Sequence, residues 1–167
     1  MTNTAEPTPK HCLIADDIRS SRQLIFNWLQ ESGFRCTAVE DGEAAWQVFS
    51  AQEPDLVIAD IEMPGHSGLE LLKMIRCLEA DRPCSVPVLM VTSLRDSQTA
   101  AIIKDLGGNG VLSKPLDKQV LYEAVVQVVS NQTSPCDFIL KTSQDMVDSQ
   151  CVISPTLRRL MRQVSMH

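Results

Sequence analysis

Five polar side chains stand where apolar runs of this chain stop, and their types suit phosphoryl chemistry. The run Leu56-Val57-Ile58-Ala59 ends in Asp60. Leu13-Ile14-Ala15 leads into Asp16-Asp17, Val88-Leu89-Met90-Val91 into Thr92, and Val111-Leu112-Ser113 into Lys114-Pro115. A charge at the end of an apolar strand rarely serves packing, and in open parallel α/β sheets ligands bind at the carboxyl ends of strands. At one sheet edge, three carboxylates, a hydroxyl and an ammonium would suit a divalent cation and a phosphoryl group. Mg²⁺ prefers oxygen ligands, usually one or two carboxylates with waters and phosphate oxygens. On this reading Asp17 and Asp60 ligate directly, Asp16 acts through water and the backbone carbonyl of Glu62 adds a ligand; Mn²⁺ fits the same set. A carboxylate held beside such an ion can act as a nucleophile and form an acyl phosphate. Lys114 would neutralise the charge spread over the phosphoryl oxygens, and the Thr92 hydroxyl would donate to one of them. Three carboxylates packed without a cation repel, so one of them is expected to titrate high.

Each residue alone has a plainer reading. Asp16-Asp17 suits a helix N-cap, Thr92 a loop, and Lys114 a solvated surface. Their shared place at strand ends is what joins them, and that place depends on the elements. Strand-like and helix-like stretches alternate five times. Cys12 to Ala15 reads as a strand, and Ile18 to Ser32 as a helix with Ile18, Ile25, Trp28 and Leu29 on one face. Phe34 to Val39 reads as a strand, and Glu43 to Ala51 as a helix stopped by Pro54. Asp55 to Ala59 has the unbroken apolar pattern of a central parallel strand covered on both faces. Ser67 to Ala80 is periodic in Leu71, Leu72, Ile75 and Leu78; Val88 to Val91 is a strand, Asp96 to Leu106 a helix and Val111 to Ser113 a short strand. Asp117 then caps a helix periodic in Val120, Leu121, Ala124, Val125 and Val128. The alternation predicts an α/β fold: a doubly wound, five-stranded parallel sheet with helices on both faces.

Composition bounds the rest. The chain has 167 residues, 44% hydrophobic and 22% charged, which is ordinary for a globular protein. A net charge of −6 argues against direct nucleic-acid binding, because phosphate backbones attract basic surfaces. No apolar run approaches the ~20 residues that span a bilayer, and Met1 to Lys10 lacks the apolar core of a signal peptide. The expectation is a cytoplasmic protein away from membranes. The six cysteines form no Cys-x-x-Cys and read as reduced thiols, with a Cys136–Cys151 bridge as the alternative. Residues 1–10 are expected to be disordered, 11–130 to form the α/β domain, and 131–167 to be a linker and C-terminal extension. Within the extension Phe138 to Leu140 suits a short strand. A helix is expected near 155–164, with Leu157, Leu160, Met161 and Val164 on one face. Such a helix orders only if it docks, on its own domain, on a second chain or on a following domain; the face built by the fifth helix is one such surface, and a frayed end is the alternative.

The run Asp41-Gly42-Glu43-Ala44-Ala45 through Pro54-Asp55-Leu56-Val57-Ile58-Ala59-Asp60-Ile61-Glu62-Met63-Pro64-Gly65-His66-Ser67-Gly68-Leu69-Glu70-Leu71-Leu72 is the most specific stretch. With the acidic pair and Lys114-Pro115 in the same order and spacing, Cys12 to Ser130 resembles the receiver domain of two-component response regulators. The resemblance implies a flavodoxin-like fold with Asp60 as phosphoacceptor, Asp16 and Asp17 holding Mg²⁺, Thr92 and Lys114 binding the phosphoryl group, and a cis Lys114–Pro115 bond. It implies a phosphohistidine donor on a histidine kinase or histidine phosphotransfer protein. It also implies an output through the fourth helix, fifth strand and fifth helix, to a downstream target or as a homodimer. The chain would then be a signalling switch, and no enzyme beyond its own phosphoryl transfer and slow dephosphorylation. Many receivers carry Tyr or Phe at the position of Val111, so an aromatic swing is not expected here. Leu116 stands where Phe often follows Lys-Pro, and His66 reads as a loose surface residue. A haloacid-dehalogenase-like phosphatase would also use an Asp nucleophile with Mg²⁺, but normally shows Asp-x-Asp on its first strand. A receiver that only binds partners is the third reading. The chain is either a stand-alone receiver with a tail or part of a larger protein.

Overall fold

The computed structural model describes residues 8–80, 85–130, 138–141 and 154–166. Most of the N-terminal segment, Cys84, and the Cys136–Cys151 bridge lie outside the described residues. The apolar runs pair as parallel strands: β1 (His11–Ala15), β2 (Arg35–Val39), β3 (Leu56–Asp60), β4 (Val88–Thr92) and β5 (Gly110–Ser113). Their order is β2-β1-β3-β4-β5, and a further strand, β6 (Ile139–Lys141), continues the sheet beside β5. The helices are α1 (Arg19–Glu31), α2 (Gly42–Gln52), α3 (Gly68–Leu78), α4 (Thr99–Asp105), α5 (Lys118–Ser130) and α6 (Pro155–Ser165).

The sheet is covered on both sides, as its unbroken apolar strands require. Cys12, Ile14, Leu56, Ile58, Leu89 and Val91 share a cluster with Ile25 and Leu29 of α1 and with Leu121, Val125 and Val128 of α5. The alternate residues Leu13, Val57, Ala59, Met90 and Val111 share the opposite cluster with residues of α2, α3, α4 and α6. This is the doubly wound sheet, flavodoxin-like in its order.

Local chemistry fixes the helix starts. Asp41 caps α2 by accepting from the Ala44 N–H at 2.7 Å. Ser67 and Glu70 form a reciprocal capping box on α3, at 3.2 and 2.8 Å. Asp117 accepts from the Val120 N–H at 3.0 Å at the head of α5. Neither aspartate of the acidic pair caps α1: its N-cap is Ile18, which is 49% exposed and leaves the buried face to Ile25 and Leu29. Leu78, grouped by periodicity with the buried stripe of α3, is likewise exposed: the stripe through Leu71, Leu72 and Ile75 runs on to the buried Glu79, and Leu78 lies off it. The fourth helix is shorter than its pattern: residues 96–98 form its lead-in, with the Thr99 N–H bonded to Asp96 O at 3.1 Å.

The C-terminal extension belongs to the fold. β6 pairs Gly110, Val111 and Leu112 with Ile139, Leu140 and Lys141, and so covers the edge that β5 would otherwise leave unpaired. Gly110 is needed there, since a Cβ would fall 2.7 Å from Ile139 O. α6 begins at an N-cap Ser154, followed by Pro155 at the first helical position. It buries Leu157, Leu160 and Val164, and it packs on α3. The expectation of docking against the fifth helix is therefore wrong: α5 lies across the sheet from α6. Among the described residues no helix is long and apolar enough to cross a membrane.

Candidate functional site

Strand register decides which chain segments meet. Ala15 lies level with Ala59, Asp60 with Val91, and Thr92 with Ser113. The next residues of β1 and β5, Asp16 and Lys114, therefore emerge beside Asp60 at the carboxyl edge. Carboxylate oxygens of Asp16, Asp17 and Asp60 all lie within 4.8 Å of one another. Asp16 and Asp60 are buried, while Asp17 is exposed at the mouth.

Lys114 closes the pocket from the other side. Its Nζ is 2.5 Å from Asp60 Oδ2 and 2.9 Å from Asp16 Oδ2. The cis Lys114–Pro115 bond follows directly, and the Lys114 N–H donates to Thr92 O at 2.8 Å. Asp60 Oδ1 accepts from the Glu62 N–H at 3.1 Å, which turns the chain away from β3. Thr92 is buried at the end of β4, and its Oγ1 accepts from the Leu94 N–H at 2.9 Å.

Charge in the pocket is unevenly balanced. Burial pushes the Asp60 carboxyl above the ordinary carboxylate range, against the pull of Lys114; the nearby charge of Asp16 adds a lesser push. The high-titrating carboxylate expected from mutual repulsion is present, but desolvation is its main cause. Burial alone would lower Lys114, yet its hydrogen bonds to Asp60 and Asp16 carry it above the usual lysine value. The ammonium thus stays charged and neutralises part of the acidic cluster.

Several supporting residues carry no chemical signature of their own in the sequence. Ser21 Oγ donates to Asp16 Oδ2 at 2.6 Å, and Arg22 donates to Asp16 O at 2.5 Å. Both come from the first turn of α1, so spacing from the acidic pair was the available signal. Gly68 sits under the pocket, where a Cβ would lie 2.1 Å from Asp60 O; Gly42 meets His66 O equally closely. These glycines permit close backbone approach. His66 is no loose surface residue. Its ring is half-buried between Glu43 at 3.2 Å and Glu70 at 3.9 Å, because Gly42 brings α2 against the loop that carries it. The described cysteines stay apart from the site. Cys12 is buried, with its thiol pushed well up by burial, and Cys36 is pushed up to about 11 for the same reason.

Fold and pocket together define a class: flavodoxin-like α/β proteins with an acid-and-lysine pocket at the carboxyl edge of the sheet. A family model, the response regulator receiver domain, matches residues 12–126. The chain belongs to the response regulator receiver domain family. It is 35% identical over 117 residues to the chemotaxis protein CheY of Pseudomonas aeruginosa, covering 70% of this chain and 93% of that one. It is 30% identical over 118 residues to the DNA-binding transcriptional regulator NtrC of Escherichia coli, covering 71% of this chain but 24% of the relative. Among solved structures, the chemotaxis response regulator CheY4 of Vibrio cholerae superposes with a TM-score of 0.65 at 29% identity, over 73% of this chain and 99% of that one. These matches span between 70% and 73% of the chain, and the matched family segment stops before β6 and α6.

Proposed function

We propose that this protein is a phosphorylation-dependent signalling switch of a two-component phosphorelay, with Asp60 as the phosphoacceptor. The observation that carries the reading is the buried Asp60 carboxylate, held between the Lys114 ammonium at 2.5 Å and the Asp16–Asp17 pair. An Asp60 oxygen attacks the phosphorus of a phosphohistidine on a histidine kinase or phosphotransfer protein. The P–O bond forms as the P–N bond breaks, and the leaving imidazole takes a proton from water. Lys114 shifts its hydrogen bond to a phosphoryl oxygen, and the Thr92 hydroxyl donates to another. The oxygen-only donor set fits Mg²⁺, which Asp17 and Asp60 would hold directly and Asp16 through water, with the Glu62 carbonyl as a further ligand. When bound, Mg²⁺ would offset charge on the transferring phosphoryl group. Water attack on phosphorus later releases inorganic phosphate and restores the carboxylate. The chain is thus a slow self-dephosphorylating switch rather than a turnover enzyme, acting in the cytoplasm on a downstream protein.

Incubation with acetyl phosphate and Mg²⁺ followed by intact mass spectrometry tests this. One added phosphoryl group is expected, lost in Asp60→Asn. Equal labelling of that variant overturns the assignment, and continuous phosphate release without a phosphorylated species would make the protein a phosphatase.

A further inference from the structure

α6 is tied at both ends to elements that leave the Asp60 pocket. At its head, the Ser154 N–H donates to Asp96 Oδ1 at 2.6 Å, while Ser154 Oγ accepts from the Leu157 N–H at 3.1 Å. Asp96 lies four residues beyond Thr92 on the loop from β4 to α4, and Thr92 Oγ1 holds the first turn of that loop through the Leu94 N–H. Leu94 itself packs against the cluster that contains Leu157 and Leu160. At the tail end, Lys73 Nζ of α3 donates to Val164 O at 2.7 Å. That contact satisfies a last-turn carbonyl and places a cation at the negative end of the helix. α3 starts directly below Asp60, where the Gly68 N–H bonds Ile61 O at 2.9 Å.

Between those anchors α6 presents one apolar stripe, Leu157, Leu160 and Val164, to a cluster that includes Leu72 of α3, Ile103 of α4 and Val111 of β5. Its outward side carries Arg158, Arg159 and Arg162, all exposed. A helix of eleven residues is marginal by itself. Its order therefore depends on the stripe and the two anchors, and loss of one anchor shifts the docked–undocked balance.

We propose that α6 is a displaceable occupant of the α3–α4–β5 face, and that phosphorylation of Asp60 releases it. This rests on the reading of Asp60 as phosphoacceptor. The Thr92 hydroxyl, drawn toward the phosphoryl group, carries the Leu94 amide with it and shifts the loop that presents Asp96. A hydrogen bond of 2.6 Å tolerates little displacement, so the head anchor of α6 opens first. The face is then uncovered, while β6 stays paired with β5. By reciprocity, anything that loosens α6 favours the phosphorylated state.

Hydrogen exchange of the full chain, with intact mass reporting phosphoryl uptake on the same sample, tests the coupling. With acetyl phosphate and Mg²⁺, amides of residues 158–165 should exchange about tenfold faster or more, at the rates of an opened local unit, while those of β1 and β3 stay protected. Asp60→Asn should show no change on adding acetyl phosphate. Asp96→Ala should loosen α6 without phosphorylation, respond little further to it, and hold more phosphoryl group at the same acetyl phosphate concentration. Uptake of the group with unchanged or slower exchange in α6 overturns the release and leaves the Asp60 reading standing. No uptake overturns both. Wild-type exchange in Asp96→Ala overturns the head anchor as the point of control.

Discussion

At Asp60, burial works against the charge of a carboxylate. Its carboxyl titrates above the ordinary value of 3.8 because it is buried. Below that ordinary value both folded and unfolded chains hold the proton, and no cost arises. As pH rises toward the raised folded value, the unfolded chain ionises first and stability is lost; above both values the loss is complete. In Mg²⁺-free buffer Asp60→Asn should therefore melt higher than wild type at neutral pH, with the gain vanishing near about pH 3. Thermal melts across pH check this, and a variant less stable at pH 7 contradicts it. Gly68 is constrained by space instead. A Cβ there would lie 2.1 Å from Asp60 O, a backbone atom that cannot swing away. Gly68→Ala should cost about 1–3 kcal/mol by overpacking and should also reduce phosphoryl uptake, since the clash moves Asp60. Denaturant melts and labelling measure the two losses separately.

At the scale of elements, β5 joins the site to the extension. One end of it delivers Lys114, its edge pairs with β6, and Val111 faces the cluster that α6 enters. The small side chain at 111 fits a face that already holds Leu157 and Leu160. Val111→Phe should thus act on α6 before it acts on the sheet. Overpacking of about 1–3 kcal/mol can be relieved by undocking the helix, so exchange in residues 158–165 should rise while β1 and β3 keep their protection. Uniform loss of protection throughout the chain would show that α6 is as integral as the central strands.

On the scale of the whole molecule, the acidic pocket is a site of uncompensated charge in a chain of net charge −6. A cation that binds only the folded form stabilises it by mass action, by about 2.7 kcal/mol at one hundred times its Kd. For a chain of this size that corresponds to a rise in Tm of about 5–10 °C. Asp17→Asn should abolish most of that rise, while an exposed carboxylate outside the pocket, such as Glu123, should be replaceable by Gln without effect. Scanning calorimetry with and without Mg²⁺ distinguishes them. Full retention of the rise in Asp17→Asn would place the cation elsewhere.

The strands, their parallel pairing and the meeting of Asp16, Asp17, Asp60 and Lys114 at one sheet edge were legible because each signal is local. Unbroken apolar runs such as Leu56–Ala59 state burial on both faces, and a charge that ends such a run states where the sheet edge lies. The class of fold follows, since few orders connect five parallel strands through helices. Other features were not legible, because they depend on which distant segments touch. Periodicity put Ile18 and Leu78 on buried faces, but only the packed structure shows both exposed, with the stripe of α3 running on to Glu79 instead. His66 reads as a loop residue until Gly42 brings α2 and Glu43 against it. The stripe of α6 was plain in the sequence, and its need for a partner surface followed from its length. Two apolar faces could have taken it. The sequence pattern is the same for either, and only the tertiary structure, through the bonds of Ser154 to Asp96 and of Lys73 to Val164, decided for the α3 side.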